Sequence, residues 1–107
     1  MSTRPTSVEP AFRFFADRWY RETGGQSAPA RIVTNVSYLA IIGMGTRAIV
    51  PILRDLRDQG GYWYPALRAI CDAAGMTPPE IPQDARGDFQ RMTNIWLGWG
   101  AANGYVA

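Results

Sequence analysis

The stretch from Ile41 to Gly75 constrains the fold more than any other part of the chain, because it encodes two amphipathic helices around a glycine pair. Ile49, Val50, Ile52, Leu53 and Leu56 recur at helical spacing and form a broad apolar stripe. That helix is expected to begin after Gly45, with Thr46 as its N-cap and Arg47 opening the first turn. Pro51 lacks an amide hydrogen, so a kink or a 3₁₀ opening turn is expected there. Arg54 and Asp58 stand four apart on the other face, as solvent-facing partners do. Gly60 and Gly61 permit the chain to reverse, since glycine accepts positive φ. Trp63, Ala66, Leu67, Ile70, Cys71 and Ala74 then share one face of a second helix, which Gly75 closes. Pro65 is tolerable because it falls in the first turn. So short a loop makes the two helices antiparallel neighbours.

One hairpin cannot bury its own apolar face, so the rest of the chain is read as its packing. From Glu9-Pro10 a helix is expected to about Thr23, with Pro10 at its first position and Gly24 past its end. Phe12, Phe15, Ala16, Trp19 and Tyr20 make its core face, while Phe14 lies off the stripe. Arg13, Asp17 and Arg21 follow one another at four-residue steps, and Arg18 with Glu22 makes another such pair. Residues 1–7 are expected to be disordered and 24–30 to be a flexible connector. A short helix over Asn35–Ile42 follows, capped by Thr34 or Asn35 and ended by Gly43. Pro78, Pro79 and Pro82 make residues 76–87 an extended surface strap. The last helix is expected over Asp88–Asn103, carrying Phe89, Met92, Trp96 and Trp99 as one stripe. Gly98 and Gly100 weaken it, which suggests close approach by another backbone or early fraying.

The chain is thus expected to be a single all-helical domain over residues 1–107, an all-α compact bundle of four to five helices around one antiparallel helix pair. Gly45, Ala48, Val50-Pro51, Leu53 and Leu56, with Ala66-Leu67 and Ala69-Ile70, resemble the signature of a HEAT-type repeat over residues 46–75. No second copy occurs, and Tyr62, Trp63 and Tyr64 stand where such repeats usually carry small or charged residues. Over roughly residues 31–105 the chain is also similar to a family of small uncharacterised bacterial proteins. The resemblance implies a shape and no activity.

Chemistry is constrained mainly by what is missing. Without histidine there is no Ser-His, Cys-His or histidine-metal arrangement, and without lysine no Schiff base or P-loop. The single cysteine, Cys71, lies on an apolar face and reads as a small buried hydrophobe. It cannot form a disulfide within the chain, and a reducing, cytoplasmic setting is expected. The first residues have no apolar segment like that of a secretory signal, and no apolar run approaches the ~18 residues of a membrane span. Asp55 and Asp58 are interleaved with Arg54 and Arg57, which favours ion pairs over a metal site. Asp84 and Asp88 suit the start of the last helix. No enzyme, catalytic residue, metal or cofactor is therefore expected.

Binding remains. The expected function is non-enzymatic binding of a protein partner, of the antitoxin, immunity or adaptor type. Three consecutive aromatics cannot all face one core, so with Trp63 buried, Tyr62 or Tyr64 must lie toward the margin or outside. Arg68, one turn beyond Tyr64, completes a candidate patch, with Phe14, Arg18 and Arg21 on the first helix as a second one. The alternative is a nucleic-acid-binding accessory protein using that arginine-rich first helix. Residues 1–31 hold five arginines against three carboxylates and residues 32–107 six of each, so the net charge of +2 sits at the N-terminal end.

Overall fold

The structure, a computed structural model, describes residues 8–24 and 34–105, which contain five α-helices. The expectations for residues 1–7 and for most of the connector lie outside the described residues. Helix α1 spans Glu9–Thr23 with proline in its first turn. Helix α2 spans Val36–Gly43, and the Asn35 side chain caps it by accepting from the amides of Ser37 and Tyr38. A 3₁₀ turn, Gly45–Ala48, leads into α3, Ile49–Asp58. Helix α4 spans Tyr64–Ala74 and ends on Gly75 in the left-handed conformation. After the strap and a 3₁₀ turn at Gln83–Ala85, Asp88 caps α5, Phe89–Ala102. The all-α bundle expected from the sequence is observed. Among the described residues no single helix is long and apolar enough to cross a membrane.

Two local expectations are corrected. Thr46 is not the N-cap of an α-helix. It lies inside the 3₁₀ turn, and α3 begins only at Ile49, which leaves Pro51 in the first turn, where its missing amide costs no hydrogen bond. Nor do Arg54 and Asp58 pair. Arg54 reaches Glu9 on α1 at 2.7 Å, while Asp58 takes the guanidinium of Arg57 beside it, also at 2.7 Å.

The packing is also less hairpin-like than the loop length implies. Helix α4 packs chiefly on α2 and the 3₁₀ turn, and α3 chiefly on α5, with a narrower direct contact between α3 and α4. Helix α1 closes over α2. The core face of α1 is as expected, with Phe12, Ala16 and Trp19 buried and Phe15 and Tyr20 at its edge. Ala74, expected on the apolar face of α4, is exposed. On α5, Trp96 and Trp99 are buried but Phe89 is 58% exposed.

Candidate functional site

Trp63 is the hub from which the candidate site is built. It is fully buried, lies parallel to Tyr38 at 5.2 Å and meets Trp19, Phe12 and Tyr20 at centroid distances of 4.5, 5.6 and 6.5 Å. Its indole N–H donates to Asp55 at 2.6 Å. The same carboxylate accepts from the Tyr20 hydroxyl at 2.5 Å and from the Arg13 guanidinium at 3.2 Å. Asp55 is therefore not the surface ion-pair residue that the neighbouring arginines suggested. It is 3% exposed and joins α1, α3 and the entry to α4 through one acceptor group. Burial, and then the bond to Asp55, pushes the Tyr20 phenol well above its usual value. The two glycines of the reversal have separate tasks. Gly60 supplies a positive φ of 72°, whereas a Cβ on Gly61 would overlap the Tyr20 hydroxyl and the Trp63 indole nitrogen.

This anchor sets the direction of the residues on either side. The Trp63 amide donates to Gly61 O at 3.0 Å, a three-residue turn centred on Tyr62. The buried Tyr38 hydroxyl donates to Tyr62 O at 2.9 Å and accepts from the Ala66 amide at 3.2 Å. With Trp63 inward, Tyr62 and Tyr64 lie on the other side, edge to face at 5.6 Å. Of the three aromatics only Tyr64 is helical, so Trp63, expected on a face of this helix, instead precedes it. Tyr64 is itself 8% exposed, and its hydroxyl bonds to Phe89 O and to Thr93. Tyr62 is half-buried.

The two tyrosines line an open trough of about 710 Å³. Pro65 and Arg68 of α4 and Met92 and Trp96 of α5 also line the trough. Pro79, Glu80 and Ile81 of the proline strap line it too, as does Arg86 just beyond them in the chain. The strap is held in place where the Trp99 indole donates to Thr77 O at 2.9 Å. Exposed Phe89 stands beside the trough, 5.8 Å from the Tyr64 ring and 6.1 Å from Tyr62. The structure thus brings Tyr62, Tyr64 and Arg68 to one place and adds Arg86, Ile81 and Met92, which sequence reasoning missed. The proline run was the available signal: it announced a rigid strap without indicating which helix face it would overhang.

The second candidate patch does not assemble in the same way. Phe14 is 57% exposed on the side of α1 away from the core, its ring against Phe15. Arg18 is paired with Glu22 at 3.5 Å, and Arg21 is exposed. Among the described residues no group of three His, Cys, Asp or Glu is arranged to hold a metal ion. Comparison with protein-family models, curated proteins and solved structures finds no match.

Proposed function

We propose that the chain is a non-enzymatic protein-binding module of the antitoxin, immunity or adaptor type, acting in the cytoplasm, and that its contact surface is the trough between α4, α5 and the strap. The observation that carries this reading is the composition of the trough: half-buried Tyr62, prolines and two exposed arginines over a floor of buried Tyr64 and Trp96. Accessible tyrosine and arginine side chains supply much interface energy, because they bring large contact area or directional donors with little freedom to lose. An open trough also suits a protein segment better than a small molecule, whose sites usually enclose most of the ligand. The helix–glycine–helix order of residues 46–75 is in keeping with a HEAT-like unit, a shape used widely for protein contacts.

The nucleic-acid alternative draws less support. Arg13 and Arg18 of α1 are each engaged by carboxylates, so the first helix offers phosphates little more than Arg21. The test is site-specific photocrosslinking in the cells from which the sequence derives, with benzoylphenylalanine at Tyr62, at Phe89 or, as a control, at Ala73. Discrete protein adducts from the first two positions alone are expected. No protein adduct, or equal adducts from all three positions, would refute the reading.

A further inference from the structure

The arginines of this chain are not equivalent, and their pairing separates the occupant's chemistry from the general case. Among the described residues, Arg13, Arg18, Arg54, Arg57 and Arg91 each have a carboxylate within 4.0 Å. Arg21, Arg47, Arg68 and Arg86 have none and are exposed, and of these four Arg68 and Arg86 line the trough. A guanidinium is a fork of donors made for a carboxylate, and here two of them border one apolar surface without one. Glu80 also lines the trough, more than 4.0 Å from either guanidinium, so the lining carries a net single positive charge.

Resting on the protein-binding reading of this same groove, we propose that its occupant is an extended acidic segment of a partner protein, in which carboxylates flank one aromatic or large apolar side chain. The apolar side chain seats against Tyr62, Ile81 and Met92. The flanking carboxylates meet Arg68 and Arg86, which border the same trough. Glu80 gives the groove its selectivity. It repels acid placed along the strap, so a spaced pattern of acid, anchor and acid fits where a continuous polyacidic tract does not.

The test uses the full chain and display of random extended peptides at low salt, followed by anisotropy measurements on the enriched peptides. Enrichment of acidic residues around an aromatic or large aliphatic one is expected. The double variant R68E/R86E should weaken the selected peptides by more than about tenfold, as loss of anchoring interface charges does. Replacing the peptide's acids by lysine should restore binding to that variant. R21E/R47E, which alters the net charge equally with exposed arginines outside the trough, should leave affinity within about twofold. Circular dichroism on both variants confirms that folding is retained. Neutral or basic winners, no enrichment, or equal weakening by both double variants would overturn the proposal. So would a single-stranded oligonucleotide that binds the wild type and loses binding in R68E/R86E alone, because that result assigns the arginines to phosphate. A partner crosslinked at Tyr62 or Phe89 through a neutral or basic segment overturns this inference and leaves the protein-binding reading standing, whereas absence of adducts removes that reading itself.

Discussion

Removing the Asp55 carboxylate should be among the most damaging single changes available in this fold. Asp55→Ala deletes the acceptor for three donors on three different parts of the chain. The Trp63 indole N–H, fully buried, is left without a partner at about 1–3 kcal/mol. Tyr20 is half-buried and Arg13 exposed, so both recover water and together add only about 1 kcal/mol. Relief of the buried carboxylate's own desolvation offsets part of this. The net expectation is about 2–4 kcal/mol, against the roughly 5–15 kcal/mol that holds an ordinary domain together. Asp55→Asn should cost less, about 1–2 kcal/mol, because its oxygen can still serve Trp63 and Tyr20 while its amide turns a donor toward Arg13. Urea melts followed by tryptophan fluorescence measure these changes. In a cycle with Trp63→Phe, which removes the orphaned donor, the double variant should fall short of the summed losses by about 1–3 kcal/mol. A loss below about 1 kcal/mol for Asp55→Ala, or additivity within about 0.5 kcal/mol, would show that the carboxylate does not carry the junction.

Three further outcomes are expected. Cys71 is fully buried and its burial pushes the thiol pKa up, so a thiol reagent should label it only after denaturant is added; rapid labelling of the folded protein would contradict its position. Tyr20 and Tyr38 are both raised above the ordinary phenol value by burial, so the unfolded chain releases their protons first, and stability should fall as pH climbs through about 10. Ultraviolet titration should accordingly show these two among five tyrosines ionising only as the fold is lost, and a single step for all five near pH ~10 with native circular dichroism would exclude it. Gly98→Ala and Gly100→Ala should have opposite signs: a Cβ on Gly98 meets open space and gains about 1 kcal/mol of helix propensity. On Gly100 it would lie 2.5 Å from Leu53 Cδ1 and 3.0 Å from Tyr105 O, costing about 1–3 kcal/mol in thermal or urea melts.

What the sequence disclosed was whatever local periodicity determines. The bounds of α1, the capping by Asn35 and the closing Gly75 follow from nearest-neighbour chemistry and are found, whereas the 3₁₀ turn expected at Pro51 falls earlier, at Gly45–Ala48. Phe89 was misjudged because its helical phase matches Trp96, yet it sits in the first turn, beyond the end of the partner surface that buries the tryptophans. Asp55 was misjudged for a related reason. Its flanking arginines suggested a solvated charged face, but helical phase alone does not reveal that a tryptophan N–H, a tyrosine and an arginine from distant parts of the chain converge on it. Only the pairing of two silent signals pointed that way: a tryptophan at a helix entry needs an acceptor for its indole, and a glycine pair leaves room for one beside it.

The buried Asp55 and the tyrosines beside the trough belong to one arrangement. Asp55 holds Trp63 inward, and Tyr38 fixes the carbonyl of Tyr62, so the reversal has a single shape. That shape turns Tyr62 and Tyr64 to the trough side and starts α4 at the phase that carries Arg68 into the trough lining. Loosening the Asp55 junction should therefore disturb the trough before it unfolds the bundle, because α5 and the strap are anchored independently through Trp99 and Thr77. The buried polar group and the trough lining are thus cause and consequence: a core residue sets the geometry of the surface proposed to meet a partner.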